Sequence, residues 1–257
     1  MNVPSSSRCY YSSLGPFQEL FATGHALLTY HHVGPRPRRV RLKGLYVSPK
    51  LFARQMAELK AAGFETDTFG TVASSEVRPK RIFLTFDDGF SDVFENALPV
   101  LRQHGFRSIQ FLVADLLGKA SEWQKASGEI PGNLMHKVQI EDWLAAGQEI
   151  GSHTLTHPRL TQVSLSEARE ELSGSKKKLE DTFGKPIEYF CYPYGDWNAE
   201  IRDLVAEAGY KSACTTEFGV NSGEADPFAL KRITARYPTL KFRNLGAWLR
   251  TSLGVRS

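Results

Sequence analysis

Two short segments carry side chains that could do chemistry together. Thr85-Phe86-Asp87-Asp88-Gly89 sets two carboxylates side by side after an apolar run. Ser152-His153-Thr154-Leu155-Thr156-His157 sets two imidazoles four residues apart. Successive strand residues point to opposite faces, so Asp87 and Asp88 reach one site only if the chain turns there, which Gly89 permits. Adjacent carboxylates beside low-dielectric walls raise each other's pKa unless a cation sits between them. On one helical turn the His spacing puts both rings on the same side, and Pro158 predicts that such a turn stops at His157. Two imidazoles with one carboxylate make an open three-ligand set, the kind that keeps a position for water on zinc. Each segment also has a plainer alternative. Asp88 or Ser91 can cap the helix that follows, and a pair of histidines can be solvated or capping. A third segment, Phe190-Cys191-Tyr192-Pro193-Tyr194-Gly195, predicts a rigid turn that aims the Tyr194 backbone N–H into a site, or simply joins a strand to a helix.

The elements that must position these segments alternate along the chain. Apolar runs at 26–30, 81–86, 108–114, 149–153, 188–192, 210–214 and 230–234 predict strands. Ser48-Pro49 opens a helix carrying Phe52, Met56 and Leu59 and closed by Gly63. A helix over 93–104 stops at Gly105, and a short one with Ile140, Trp143 and Leu144 stops at Gly147. Ser164 and Glu167 have capping-box spacing before a long helix to Phe183, and Asp196 is the expected cap of a helix bearing Ile201, Leu204 and Val205. A last helix is expected over about 240–253. The stretch 35–43 reads as a loop, and the polar loop at 117–135 is long enough to be a substrate rim. Residues 1–24 read as an arm packed on the body, and 25–257 as a single domain. Strand and helix alternation predicts an α/β protein with a mostly parallel sheet, open or closed into a barrel, with the three segments at strand ends.

Composition narrows the function. The 257 residues hold 32 Lys+Arg against 28 Asp+Glu, a net +4 too small and too evenly spread to argue for nucleic acid. A hydrophobic fraction of 41% supports a globular core. Three widely spaced cysteines, Cys9, Cys191 and Cys214, exclude a disulfide scaffold and a Cys-rich zinc module. No apolar run approaches the ~20 residues of a membrane span, so stable membrane insertion is not expected. No basic cluster precedes a clean apolar run, and the sequence as written predicts a cytoplasmic protein, or a secreted or membrane-associated one if the start codon is misassigned. None of the seven histidines follows His157.

The three segments, in this order, resemble those of the polysaccharide deacetylases of the NodB-homology type (carbohydrate esterase family 4), over about residues 26–232. The resemblance implies a distorted (β/α) barrel of about seven strands and a hydrolase that removes N-acetyl groups from N-acetylglucosamine-type sugars or polysaccharide. It implies a divalent metal, Zn²⁺ first, on Asp88, His153 and His157, with Asp87 as general base and the Tyr194 N–H on the oxyanion. The chain departs from the family pattern twice. Most members carry an Arg where Cys191 stands, and Arg232, on a late strand, is the candidate substitute. Most members also draw their general acid from a late Leu-x-His, which this chain lacks. Tyr30-His31-His32-Val33 after an early strand resembles the permuted poly-N-acetylglucosamine deacetylases, and by that resemblance His31 takes the acid role, with His32 the second choice. The chain's two ends would then close on each other. Trp123, Trp197 and Tyr192 could stack on sugar faces or pack in the core. Arg36, Arg38, Arg39, Arg41 and Lys43 read as a solvated loop, or as a strip favouring an anionic glycan, a nucleotide-sugar phosphate or a membrane surface. A hydrolase of small cyclic amides or imides on the same metal site, and an inactive glycan- or metal-binding member, are the alternatives.

Overall fold

The computed structural model describes residues 10–73, 77–126 and 128–236; the helix expected over 240–253 lies outside them. The strands are β1 (Ala26–Tyr30), β2 (His32–Val33), β3 (Tyr46–Val47), β4 (Glu65–Thr66), β5 (Arg81–Phe86), β6 (Ile109–Leu112), β7 (Glu149–Ser152), β8 (Tyr189–Cys191), β9 (Ser212–Phe218) and β10 (Leu230–Thr234). From β5 to β10 each strand pairs with the next, and β1 closes the ring by pairing with both β10 and β5. All these pairings are parallel, so seven strands form the closed barrel expected. The short β4 adds a pairing at the start of β5, and β2 pairs with β3 apart from the barrel.

Period-two alternation sorts the barrel residues. In β5, Ile82, Leu84 and Phe86 join the core between barrel and helices, while Phe83 joins Leu27, Phe111 and Leu230 in a separate interior cluster. Thr85 and Asp87 continue the inward row, so the interior turns from apolar to polar towards the strands' C-terminal ends. The opposite end is stoppered by a 3₁₀ turn, Phe69–Ala73, whose Phe69 ring meets Phe83, Phe111 and Tyr189. Neither that turn nor the two-residue strands are long enough to leave a periodic signal in the sequence.

The helices follow their caps. Ser48 accepts the Leu51 N–H at the start of Pro49–Ala61. Ser164 and Glu167 form the expected capping box on Leu165–Phe183, which Gly184 ends in the left-handed conformation. The expected helix over 93–104 is instead two, Ser91–Asn96 and Leu98–His104. Pro99 lacks the N–H a continuous helix needs and its ring crowds the preceding turn, which explains the break. The expected Asp196 cap is also corrected. Asn198 caps Ala199–Glu207 by accepting the Ile201 N–H, and Asp196 accepts the Thr161 N–H and hydroxyl at 2.9 and 2.8 Å. Strand β9 runs further than expected, to Phe218, and β8 is shorter. Near the start of the described residues Tyr11 bridges to Ala235, and the Tyr11, Phe17 and Phe21 rings cluster together.

Candidate active site

The three segments converge at the C-terminal mouth of the barrel. After β5 the Asp87 N–H donates to the Tyr30 carbonyl at 3.0 Å, extending the ladder by one residue. Asp88 and Gly89 then both take left-handed conformations, with φ of 74° and 84°. A left-handed non-glycine residue costs about 1–3 kcal/mol of strain, which the surroundings must hold in place. The two successive left-handed residues turn the chain and let neighbouring carboxylates face one cavity. Neither alternative cap is realised: the helix Ser91–Asn96 has Phe90 at its N-cap and no side-chain cap.

The histidine segment corrects the expected helical turn. Residues 153–159 are not helical, and Thr154 and His157 both have φ of 72°. The His157 N–H donates to Thr154 Oγ1 at 2.9 Å, while Glu171, on the long helix, accepts the Leu155 and Thr156 N–H groups at 2.8 and 2.9 Å. A hydrogen-bonded turn built on two left-handed residues thus achieves what one helical turn was expected to do. Glu171 is a positional contributor that sequence spacing did not reveal.

His153 Nε2 lies 3.4 Å and His157 Nε2 3.3 Å from the same oxygen, Asp88 Oδ1. Ligand bonds of about 2.0–2.1 Å in a tetrahedron put ligand atoms roughly 3.3–3.4 Å apart, so the spacing matches the edge of a metal polyhedron. The three ligand atoms lie within 4.8 Å of one another, and all three residues are buried. His153 Nδ1 sits 2.6 Å from the Cys191 carbonyl, which as an acceptor fixes that nitrogen as an N–H and aims Nε2 at Asp88. Two imidazole nitrogens and a carboxylate oxygen converge on one point, where a cation can replace the protons that otherwise bridge them, so the donor set fits a divalent ion. Burial pushes the Asp88 carboxyl up, but hydrogen bonds from His153 and His157 override it and hold it well below the usual range. Burial also pushes His153 down, yet its contacts with Cys191 and Asp88 hold the imidazole well above normal. His157 has no partner at Nδ1, and for it burial prevails and lowers the pKa.

Asp87 lies inside the barrel and meets Arg232. The guanidinium donates to both carboxylate oxygens at 2.8 Å, to the Thr215 carbonyl at 2.8 Å and to Thr85 Oγ1 at 3.1 Å. Its Nη2 is also 3.2 Å from Cys191 Sγ. The small Cys191 side chain therefore borders the space that the guanidinium enters from β10 rather than from β8. In β10, Leu230 joins the interior cluster, Lys231 is exposed and Arg232 is buried, as alternation requires. Burial pushes the Asp87 carboxyl up, but Arg232 outweighs it and keeps Asp87 below its ordinary value.

His31 follows β1 and points its Nε2 at Asp87 Oδ2, 3.7 Å away. Burial lowers its pKa, opposed by Asp87 and Asp88. His32 does not reach this cavity. Its ring lies stacked between Tyr46 and Phe90, with Nδ1 2.8 Å from Asp92 Oδ2. Tyr194 has φ of 61° between Pro193 and Gly195, where a β-carbon on Gly195 would meet Thr216 Oγ1 at 2.0 Å. The predicted rigid turn is therefore present.

His31, Asp87, Asp88, His153, His157 and Tyr194 line a cavity of about 220 Å³ that Leu42, Leu45 and Trp123 also border. Of the three candidate stacking aromatics, Trp123 stacks on the His157 ring at 4.5 Å, with Tyr194 edge-on to the same ring at 4.6 Å. Tyr192 is fully buried and donates its hydroxyl to the Phe228 carbonyl, and Trp197 stacks on it. The segment 117–135 supplies Trp123 and Glu129 to the rim. Glu129 accepts the Arg41 and Leu42 N–H groups and so ties the basic loop to the same mouth.

A protein-family model described as "Polysaccharide deacetylase" matches residues 74–213. The chain is similar to YxkH of Bacillus subtilis (strain 168), 25% identical over 228 residues that cover 87% of this chain and 75% of that protein. It is 26% identical to the chitooligosaccharide deacetylase of Azorhizobium caulinodans over 144 residues, 55% of this chain and 61% of that one. The solved structure of BC0361, a polysaccharide deacetylase from Bacillus cereus, is similar with a TM-score of 0.69 at 28% identity, over 87% of this chain and 68% of that chain. Among the described residues no helix is long and apolar enough to cross a membrane. With more than half its length matched by the family and the motif residues gathered at one barrel mouth, the chain belongs to the polysaccharide deacetylases, hydrolases of carbohydrate esterase family 4.

Proposed function

We propose that the protein removes acetyl groups from N-acetylglucosamine-type sugars or polysaccharide with the help of a divalent metal, Zn²⁺ first. One observation carries the reading: adjacent carboxylates have opposite surroundings, Asp87 clamped by Arg232 with His31 beside it and Asp88 facing two imidazoles. Such a split gives one carboxylate to proton transfer and the other to metal binding. A divalent ion on Asp88, His153 and His157 would supply Lewis acidity towards water and the acetyl carbonyl.

The remaining work falls to the chain's own groups. Arg232 occupies one lone pair on each Asp87 oxygen, leaving the others to accept the proton of the attacking water. The Tyr194 backbone N–H, held by the turn, donates to the oxygen that gains charge as the carbonyl becomes tetrahedral. His31 protonates the leaving amine; burial lowers its pKa, which makes the imidazolium a stronger acid, and Asp87 nearby opposes that shift. Asp87 and His31 then sit on the two proton-transfer paths of one amide cleavage, and the products are acetate and a free amino sugar.

Metal analysis of the purified protein combined with acetate release from N-acetylglucosamine oligomers tests the reading. Stoichiometric divalent metal with chelator-sensitive acetate release is expected. Turnover of a cyclic imide without acetate release would assign the site to the smaller amides instead, and a metal-replete protein inert on both would mark a binding protein.

A further inference from the structure

We infer that Asp92 is a positioning residue for His31, acting through the two residues that follow it; this rests on the reading of His31 as the general acid. The His31 ring has little of its own to hold it. Its Nδ1 is buried without a hydrogen-bond partner, and its Nε2 is 3.7 Å from Asp87, beyond hydrogen-bond reach. The ring is therefore aimed by the backbone on either side. On the preceding side β1 sits in the barrel wall between β10 and β5.

On the following side the hold comes from the first turn of the helix Ser91–Asn96. Asp92 Oδ2 lies 2.8 Å from His32 Nδ1, and Oδ1 accepts the Val33 N–H at 3.3 Å. Asn96 Nδ2 donates to the Val33 carbonyl at 2.9 Å and to the Asp92 carbonyl at 3.1 Å. The His32 ring is flanked by Tyr46, 4.2 Å away and within 2° of parallel, and by Phe90 at 3.6 Å. Gly34 completes the fit, since a β-carbon there would lie 2.9 Å from Asp92 Oδ2. The paired histidines thus divide the labour: His31 faces the cavity and His32 is the handle by which Asp92 holds it. The same helix begins just after Asp87-Asp88-Gly89, so one short stretch of chain fixes the distance between base and acid. A reacting group displaced by about 1 Å can lose on the order of 10²-fold in rate.

The experiment measures kcat and KM for acetate release from N-acetylglucosamine oligomers, with bound metal, in the full-length protein. Asp92→Ala should lower kcat by about 10- to 100-fold with KM within about twofold and metal stoichiometry unchanged. Asp92→Asn, which keeps an acceptor oxygen for His32 Nδ1–H, should recover part of the loss. The deciding measurement is the double variant: in a His31→Ala background, Asp92→Ala should cost nothing further, because its effect runs through His31. An additive loss, a rise in KM alone or loss of metal would each overturn the inference. Should Asp92→Ala fail to fold, Asp92→Asn with and without His31→Ala gives the same comparison. If His31→Ala itself leaves kcat unchanged, it is the acid assignment that falls; if His31→Ala is impaired and Asp92→Ala is not, only the positioning role falls.

Discussion

The barrel interior and the barrel rim supply the site in different ways. The interior half, Asp87 with Arg232 and Thr85, is carried on strands, and its side chains arrive by simple alternation. The rim half, Asp88 with His153 and His157, depends on turns in which Asp88, Thr154 and His157 all take left-handed conformations. Strand-borne groups can be held rigidly at little backbone cost, which suits the proton-accepting role proposed for Asp87. Turn-borne groups can bring three side-chain donor atoms round one point, at the expense of strain that backbone hydrogen bonds to Thr154 and Glu171 must offset.

The sharpest way to break that contrast is to remove one carboxylate from each half. Asp88→Ala should abolish metal binding, read by metal analysis, and activity with it. Asp87→Asn should retain metal while turnover falls by roughly 10²–10⁴-fold, the usual worth of general-base catalysis. Near-normal turnover in Asp87→Asn would falsify the division of roles.

A smaller effect comes from Arg232→Lys. As the proposed general base Asp87 must be ionised, and Arg232 holds that carboxyl below its ordinary value. A lysine cannot donate to both oxygens in a fork, so the Asp87 pKa should rise and the acid limb of the pH–rate profile should move to higher pH. Metal content should not change. An unshifted limb would mean that Arg232 serves packing alone.

The rim should show its own pH dependence. His153 binds a proton more tightly than usual, and that proton occupies the lone pair a metal needs. Its folded-state pKa is raised, so metal affinity should weaken as pH falls through that range, by about tenfold per pH unit for one displaced proton. Chelator competition across pH would measure it. The smallest effect is expected away from both halves: Asn198→Ala should cost about 1 kcal/mol of stability through loss of its cap and leave kcat unaltered.

The strand Arg81–Phe86 was legible in the sequence as an apolar run leading into two carboxylates. A run buried on both faces does not mark which face is inward, so the place of Asp87 inside the barrel was not legible. The place of Arg232 could be guessed from its late strand, but its grip on Asp87 depends on barrel closure, which no local pattern encodes. The rim was legible in residue type and order and not in geometry. The His153–His157 spacing suggested a helical turn, and the real one relies on Glu171 from a distant helix. Which of His31 and His32 faces the cavity likewise depends on Asp92, Tyr46 and Phe90, which hold His32 aside and come from segments with no shared local pattern.

The closure of β1 against β10 has a consequence for how the protein comes to life as it folds. Those strands, among the most distant in the described chain, flank the groups that complete the interior half, since His31 follows one and Arg232 lies in the other. Contacts so far apart in sequence form slowly compared with helices and neighbouring strands. Recovery of activity on refolding should accordingly lag the return of helical signal, and turnover would report the moment at which the ring is sealed.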